Sequence, residues 1–408
     1  MHFFPAKPRK RLAQIVAVVC LSLMVFSCGG GGGGYGGGGG GGGTNPPPPS
    51  GLVFSPATNI STGGTFAGSV VVADFNGDGK LDIAVSNYVS ETIAVFLNQG
   101  AGKFGSPILT PVQIDAVELG PISVGDFNED GKSDLVMGTI SGAQADIVLL
   151  GNGDGTFQQS PPIPNSTGFF HASVVDLNRD GHQDLVTGGE GNVTVYLGNG
   201  DGTFAPGVIL PKGSIPGIFF GTVVGDFNGD KKLDIVANDI TTGFQVFYAG
   251  NGDGTFQAPV DYLALSSGEL LAADFNGDGK LDLMLAFPSL VMVALGNGDG
   301  TFQNKSLWTV YASQSADPTQ KLSLATGDFD LDGKPDAVVG DFFVGVVRLE
   351  LNAGIAPDPT DASAEYQFTL EPGISDVAVG DLNGDGLPDI VAVNQTTNQI
   401  SVILSIKQ

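Results

Sequence analysis

Residues 74–82 read DFNGDGKLD, and near-copies begin at Asp126 (DFNEDGKSD), Asp176 (DLNRDGHQD), Asp226 (DFNGDKKLD), Asp274 (DFNGDGKLD), Asp328 (DFDLDGKPD) and Asp381 (DLNGDGLPD). Successive starts lie 48 to 54 residues apart. A period near fifty residues belongs to solenoids and propellers. Each copy follows a short apolar run, such as SVVVA at 69–73, and precedes another, such as IAVSN at 83–87. A third apolar segment, such as TIAVFLN at 92–98, leads through a tight turn into a fourth. Four repeats spell that turn NGDGTF, at 152–157, 199–204, 251–256 and 297–302. Short apolar runs bounded by Gly, Asn and Asp read as strands, and Asn-Gly and Asp-Gly as hairpin turns. No segment of the body keeps a helical period. The unit is four short antiparallel strands, and seven units predict an all-β, seven-bladed β-propeller.

The ends of the periodic region complement each other. The last unit stops after its third strand, ISVILSI at 400–406, and an unmatched fourth-type strand, GLVFSPATNI at 51–60, precedes the first. Their pairing would close the ring and remove the sheet edges that invite aggregation. An open solenoid is the alternative, and it would need capping units that the sequence does not show.

Positions 1, 5 and 9 of the nonapeptide are Asp in all seven copies, and position 3 is Asn or, once, Asp330. These are hard oxygen donors. Position 7 is Lys in five copies, His182 in one and Leu387 in another, so only its carbonyl can serve as a ligand. Position 6 is Gly in six copies, as a turn with positive φ requires. Four side chains, a carbonyl and water supply the roughly six to eight oxygens that Ca²⁺ takes, whereas Mg²⁺ demands a stricter octahedron. An EF-hand is excluded: position 12, where that motif needs Glu, is Val85, Met137, Thr187, Ala237, Leu285, Val339 or Ala392.

The pattern resembles the FG-GAP, or VCBS, repeat family, known from the propeller domains of integrin α subunits, over about residues 51–408. The resemblance implies a seven-bladed propeller with up to seven Ca²⁺ in the loops joining first and second strands. It places the ligands of blade one at Asp74, Asn76, Asp78, the Lys80 carbonyl and Asp82. Blade two would use Asp126, Asn128, Asp130, Lys132 and Asp134, and blade three Asp176, Asn178, Asp180, His182 and Asp184. Blade four would use Asp226, Asn228, Asp230, Lys232 and Asp234, and blade five Asp274, Asn276, Asp278, Lys280 and Asp282. Blades six and seven follow with Asp328, Asp330, Asp332, Lys334 and Asp336, then Asp381, Asn383, Asp385, Leu387 and Asp389. Blade four, with Lys231 in place of the glycine, is expected to bind most weakly. Blade six, with its fourth carboxylate, is expected to bind most tightly.

Ahead of the repeats, Lys7, Arg9, Lys10 and Arg11 precede the apolar run 12–26, a signal-peptide pattern. It ends in Val25-Phe26-Ser27-Cys28, which resembles the bacterial lipobox and implies a lipid on Cys28. Ordinary signal cleavage and retention as an anchor helix are the alternatives. Residues 29–43 are glycine apart from Tyr35, and prolines fill 46–49. The reading is a signal peptide at 1–27, a tether at 28–50 and a propeller at 51–408. The protein would cross a bacterial inner membrane and stay lipid-anchored at the outer membrane or cell surface, as a monomer.

The chain carries 43 acidic against 17 basic residues, a net charge of −26, which argues against nucleic acid or anionic lipid as partner. Both cysteines, Cys20 and Cys28, precede the repeats, so the body has no disulfide. With three histidines, His2, His171 and His182, no catalytic triad can be assembled. Recognition is expected on the face opposite the acidic loops. There the sequence places Tyr88, Phe169, Phe170, His171, Phe219, Phe220 and Tyr311 beside Asn87, Glu190 and Asn238. Aromatics beside amides suit a surface protein or a glycan. The expectation is a non-catalytic, calcium-stabilised binding or adhesion propeller. A lectin-like propeller is the first alternative, and a hydrolase or lyase with its site in these loops the second.

Overall fold

The computed structural model describes residues 52–113, 118–140, 146–166, 171–211, 217–264, 268–287, 290–312, 321–351 and 365–407. The leader, Cys28, the tether, Phe169 and Phe170 lie outside the described residues.

The apolar runs form strands and the Gly/Asn/Asp clusters turn them. Blade one comprises Ala67–Ala73, Asp82–Asn87, Thr92–Phe96 and Ile108–Pro111. Blade two comprises Glu118–Gly125, Asp134–Ile140, Ile147–Gly151 and Phe157–Gln159. Blade three is His171–Val175, Asp184–Gly188, Val193–Tyr196 and Val208–Leu210. Blade four is Gly217–Gly225, Asp234–Asp239, Phe244–Tyr248 and Val260–Ala264. Blade five is Leu270–Ala273, Asp282–Ala286, Leu290–Gly296 and Phe302–Ala312. Blade six is Leu322–Gly327, Asp336–Asp341, Val346–Glu350 and Glu365–Thr369. Blade seven is Ile374–Gly380, Asp389–Asn394 and Gln399–Ile403, with Thr58–Ser61 as its fourth strand. The two-residue strand Glu190–Gly191, from the loop of blade three, adds to the first strand of blade four. All pairings are antiparallel, and the fold is the expected seven-bladed propeller.

Ring closure goes further than one strand. Thr58–Ser61 pairs with Gln399–Val402, and Leu52–Phe54 pairs with Ser405–Lys407. Phe54 then sits edge-on to Tyr366 and Phe368, at 5.0 Å from each ring, on blade six.

The core lies between the blades. Among the described residues seven apolar clusters occur, one at each junction of neighbouring blades. The closing junction joins Val70, Ile83, Val85 and Phe96 of blade one to Val391, Val393, Ile400 and Val402 of blade seven. Second strands such as Asp82–Asn87 are buried at every residue, because both of their faces meet a neighbouring blade. A strand so placed reads as a continuous rather than an alternating apolar run.

First strands line the axis, and apart from the short Glu190–Gly191 pairing on blade four they leave one edge without a strand partner among the described residues. Side chains of the preceding blade occupy that edge. The Ser123 and Ser173 hydroxyls donate to the carbonyls of Ala172 (2.8 Å) and Thr222 (2.9 Å). The Glu269 and Asp376 carboxylates accept from the amides of Leu324 (3.1 Å) and Val70 (2.9 Å).

Candidate metal centres

All seven nonapeptides connect a first strand to a second, and all seven curl in the same three steps. The position-6 amide donates to Oδ2 of position 1, at 2.7 Å in blade one and 3.1 Å in blade three. The same bond recurs in the other five. The position-5 amide donates to the side-chain oxygen of position 3, over 2.8–3.2 Å. The position-7 amide donates to Oδ1 of position 5, over 2.9–3.0 Å. Short Asp and Asn side chains bond nearby backbone in this way wherever the chain must turn. The three side chains are thereby held around one loop, each with acceptor capacity to spare.

Position 9 does something else. Asp82, Asp134, Asp184, Asp234, Asp282, Asp336 and Asp389 open the second strands and are 0% exposed. Oδ2 accepts the position-2 amide of its own loop in all seven, as from Phe75 at 3.0 Å and Leu382 at 2.8 Å. Oδ1 accepts an amide just after or at the end of the third strand: Asn98, Gly151, Gly198, Gly250, Gly296 or Ser405. The carboxylate therefore latches loop, second strand and third strand together. Burial raises the pKa of Asp82, Asp134 and Asp184, and raises it to about 6 for Asp234, Asp282 and Asp389. In blades one to five the charges of positions 1 and 5 push the same way.

Two loop positions, not one, have positive φ. Position 6 does so in all seven copies, including Lys231 at +66°. Position 4 does so as well, through Gly77, Gly229, Gly277 and Gly384 but also Glu129 (+58°), Arg179 (+62°) and Leu331 (+60°). A Cβ built on Gly77 or Gly79 meets nothing within 4 Å. Glycine is needed there for backbone freedom, not for room, so larger residues cost only the left-handed strain, about 1 kcal/mol.

The donor set fits a hard divalent cation. Among the described residues, Asp328, Asp330 and Asp332 bring one oxygen each within 4.8 Å of one another. In blade three Oδ1 of Asp176 is buried without a hydrogen-bond partner. Crowded carboxylates and an orphaned buried oxygen are what a cation would relieve. Position 7 differs among the loops: Lys80 and Lys132 reach back to Oδ2 of Asp78 (2.7 Å) and Asp130 (2.8 Å). His182 instead meets Glu129 of the neighbouring loop, which raises its pKa.

The NGDGTF turns sit on this same face and join blades. The second glycine donates its amide across the junction: Gly155 to Phe75, Gly202 to Phe127, and Gly300 to Phe227, over 2.8–3.0 Å. The turn phenylalanine stacks edge-on against the position-2 phenylalanine of the preceding blade, as Phe157 on Phe75 (5.8 Å) and Phe204 on Phe127 (5.6 Å). A hairpin reading of the motif was correct locally and missed this contact. The pairing of one aromatic after NGDG with one in D-F-N was its signal.

The opposite face is less regular. Tyr88 lies over Gly68, where a Cβ would stand 2.1 Å from its ring. Asn238 is 0% exposed and bridges to the Gly268 carbonyl (3.1 Å), so it holds two blades together rather than facing solvent. Asn87 is equally buried. His171 starts the first strand of blade three, with Nδ1 buried and unbonded, and burial lowers its pKa to about 4. Phe219 is buried at the 3/4 junction. Glu190 and Phe220 lie on paired strands at that junction, Phe220 at a register shift, and Tyr311 on the fourth strand of blade five. Glu269, Lys321 and Asp376 gather at this end of the first strands. Burial, and then the Asp376 charge, push the Glu269 carboxyl up to about 8. The apolar side chains exposed here, which sequence reasoning missed, are Phe66, Val89, Phe343 and Val344.

The FG-GAP-like repeat profile matches residues 74–137, 126–187, 176–237, 226–285 and 274–339, and the FG-GAP repeat profile matches 374–403. Human cartilage acidic protein 1 is 28% identical over 271 residues, covering 57% of this chain and 40% of that protein. Integrin alpha-PS5 of Drosophila melanogaster is 31% identical over 154 residues, 32% of this chain and 15% of its own length. This chain thus spans less than half the length of these relatives. Among solved structures, an Agrocybe aegerita lectin specific for non-reducing terminal N-acetylglucosamine aligns with a TM-score of 0.52 and 20% identity, over 84% and 86% of the two chains. BBS1N, in complex with ARL6DN, aligns at 0.56 and 13%, over 86% and 97%. At such identities the likeness is one of fold.

Proposed function

Because the chain belongs to the FG-GAP repeat family, we propose that it is a non-catalytic binding propeller stabilised by calcium, which recognises a surface protein. The observation that carries this is the division of labour between the faces. Seven loops spend their side chains on identical acidic turns, while apolar Phe66, Val89, Phe343 and Val344 stand exposed on the other side. Bound Ca²⁺ would supply positive charge among the carboxylates of positions 1, 5 and 9, joined by Asp330 in blade six and by the neutral Asn oxygen of position 3 elsewhere, and tighten the turns they already form. Loops of this kind in extracellular modules typically bind at about 10⁻⁴–10⁻³ M, which suits a structural ion outside the cell. The leader supports export across a bacterial inner membrane, with a lipid on Cys28 holding a monomer at the outer membrane or surface.

Melting with calcium and with a chelator tests the metal: a clear fall in Tm is expected, and an unchanged Tm defeats the reading. Cys28→Ser, followed by loss of membrane association, tests the anchor. A second reading, a carbohydrate-binding propeller, is favoured by one groove of about 470 Å³ between blades one and two. Pro111, Gln113, Gln159, Ser160 and Pro161 line it, with the Gln159 amide donating to the Gln113 carbonyl (2.8 Å) and accepting from its N–H (2.9 Å). A glycan array separates the two: a defined sugar hit favours the groove, and none leaves the protein-binding face.

A further inference from the structure

Five loops carry lysine at position 7, and they do not use it alike. In blades one and two the ammonium sits against Oδ2 of the position-5 aspartate, at 2.7 and 2.8 Å. Blades five and four hold the same pair more loosely, at 3.3 Å for Lys280–Asp278 and 3.6 Å for Lys232–Asp230. In blade six the stem of Lys334 crosses toward loop five, with Cε 3.4 Å from where a Cβ on Gly277 would stand. Blade seven has Leu387, buried at 6% exposure.

Oδ1 of that aspartate already accepts the position-7 amide in each of these loops. Where lysine folds back, both oxygens of the carboxylate are therefore engaged, one of them by a full positive charge. A calcium ion at the same carboxylate must displace that ammonium or bind beside it against repulsion. We propose that lysine at position 7 is a tethered counter-ion. It steadies the metal-free loop and sets the calcium affinity of its blade. The inference rests on the calcium reading above. It orders the sites: blades three, six and seven, with no ammonium on the position-5 carboxylate, fill first, and blades one and two, with the closest pairs, fill late.

The test uses the full chain stripped with chelator and titrated with CaCl₂ by calorimetry, with melting recorded in chelator and in saturating calcium. Lys80→Met and Lys132→Met keep the stem and remove the charge. Each is expected to tighten one late site by about two- to fivefold, the scale of an exposed ion pair, and to lower the Tm in chelator only slightly. Lys80→Arg keeps the charge and is expected to keep the wild-type affinity, which a role in packing alone would not require. The reverse substitution, Leu387→Lys, is expected to weaken an early site. Unchanged or weaker calcium binding in both Met variants, with normal uptake by the wild type, overturns the proposal. A wild-type chain that takes up no calcium overturns the calcium reading itself, and this inference with it.

Discussion

On the loop face the position-5 to position-3 bond spans only 2.8–3.2 Å across all seven blades, although position 4 is Gly, Glu, Arg or Leu. On the opposite face the blades share less. Asp239, Asp341 and Asn394 cap the turns after the second strands of blades four, six and seven alike, but Tyr88 covers Gly68, His171 keeps a buried bare nitrogen, and Phe343 and Val344 stand partly exposed. Repetition marks what the ring needs in order to stand. Departure from repetition marks where a partner can tell one sector from another.

The sharpest way to break the comparison is to remove a latch. Asp282→Ala leaves the buried amides of Phe275 and Gly296 without acceptors. A loss of about 2–5 kcal/mol in urea unfolding is expected, and Asp282→Asn, which keeps one acceptor, should lose less. Next comes a turn glycine of NGDGTF. Gly254 has φ +80°, and a Cβ there would stand 2.9 Å from Leu197, so Gly254→Ala is expected to cost about 1–3 kcal/mol by the same measurement. Lys231→Gly should move the other way, stabilising by up to about 1 kcal/mol as the strain at +66° is released.

The opposite face gives smaller effects on stability. Glu269 is raised from 4.5 to about 8, chiefly by burial, with Asp376 adding and Lys321 opposing. A carboxyl raised in the folded state stabilises below its unfolded pKa, and that contribution is lost as pH climbs through the folded value. Its share of the stability should therefore decline between about pH 4.5 and 8, and Glu269→Gln should flatten that slope in Tm-against-pH measurements. The smallest change in stability, within about 0.5 kcal/mol, is expected for Val89→Ser, which is 50% exposed. If the face is the binding surface, the same variant should lose capture of the partner while its melting stays put.

Much of the loop face was legible before the structure. Seven nonapeptides gave seven blades, the missing fourth strand gave the closure, and position 6 gave the turn. Position 4 was hidden, because Glu129, Arg179 and Leu331 carry no mark of a left-handed backbone. The latching duty of position 9 was hidden, since nothing local says that Asp82 also accepts from Asn98, sixteen residues on. The inter-blade pairing of Phe157 with Phe75 was hidden for the same reason: contacts between repeats leave no period of their own. Asn238 read as a recognition residue because it ends a strand beside a turn. Burial decided otherwise.

The clip made by Leu52–Phe54 has a mechanical consequence. A pull on the chain ahead of Leu52 reaches the three residue pairs with Ser405–Lys407 and the Phe54 anchor on blade six before it reaches Thr58–Ser61. The clip works as strain relief on a cable. It can tear while the ring behind it stays shut, so a tethered propeller would keep its shape under drag.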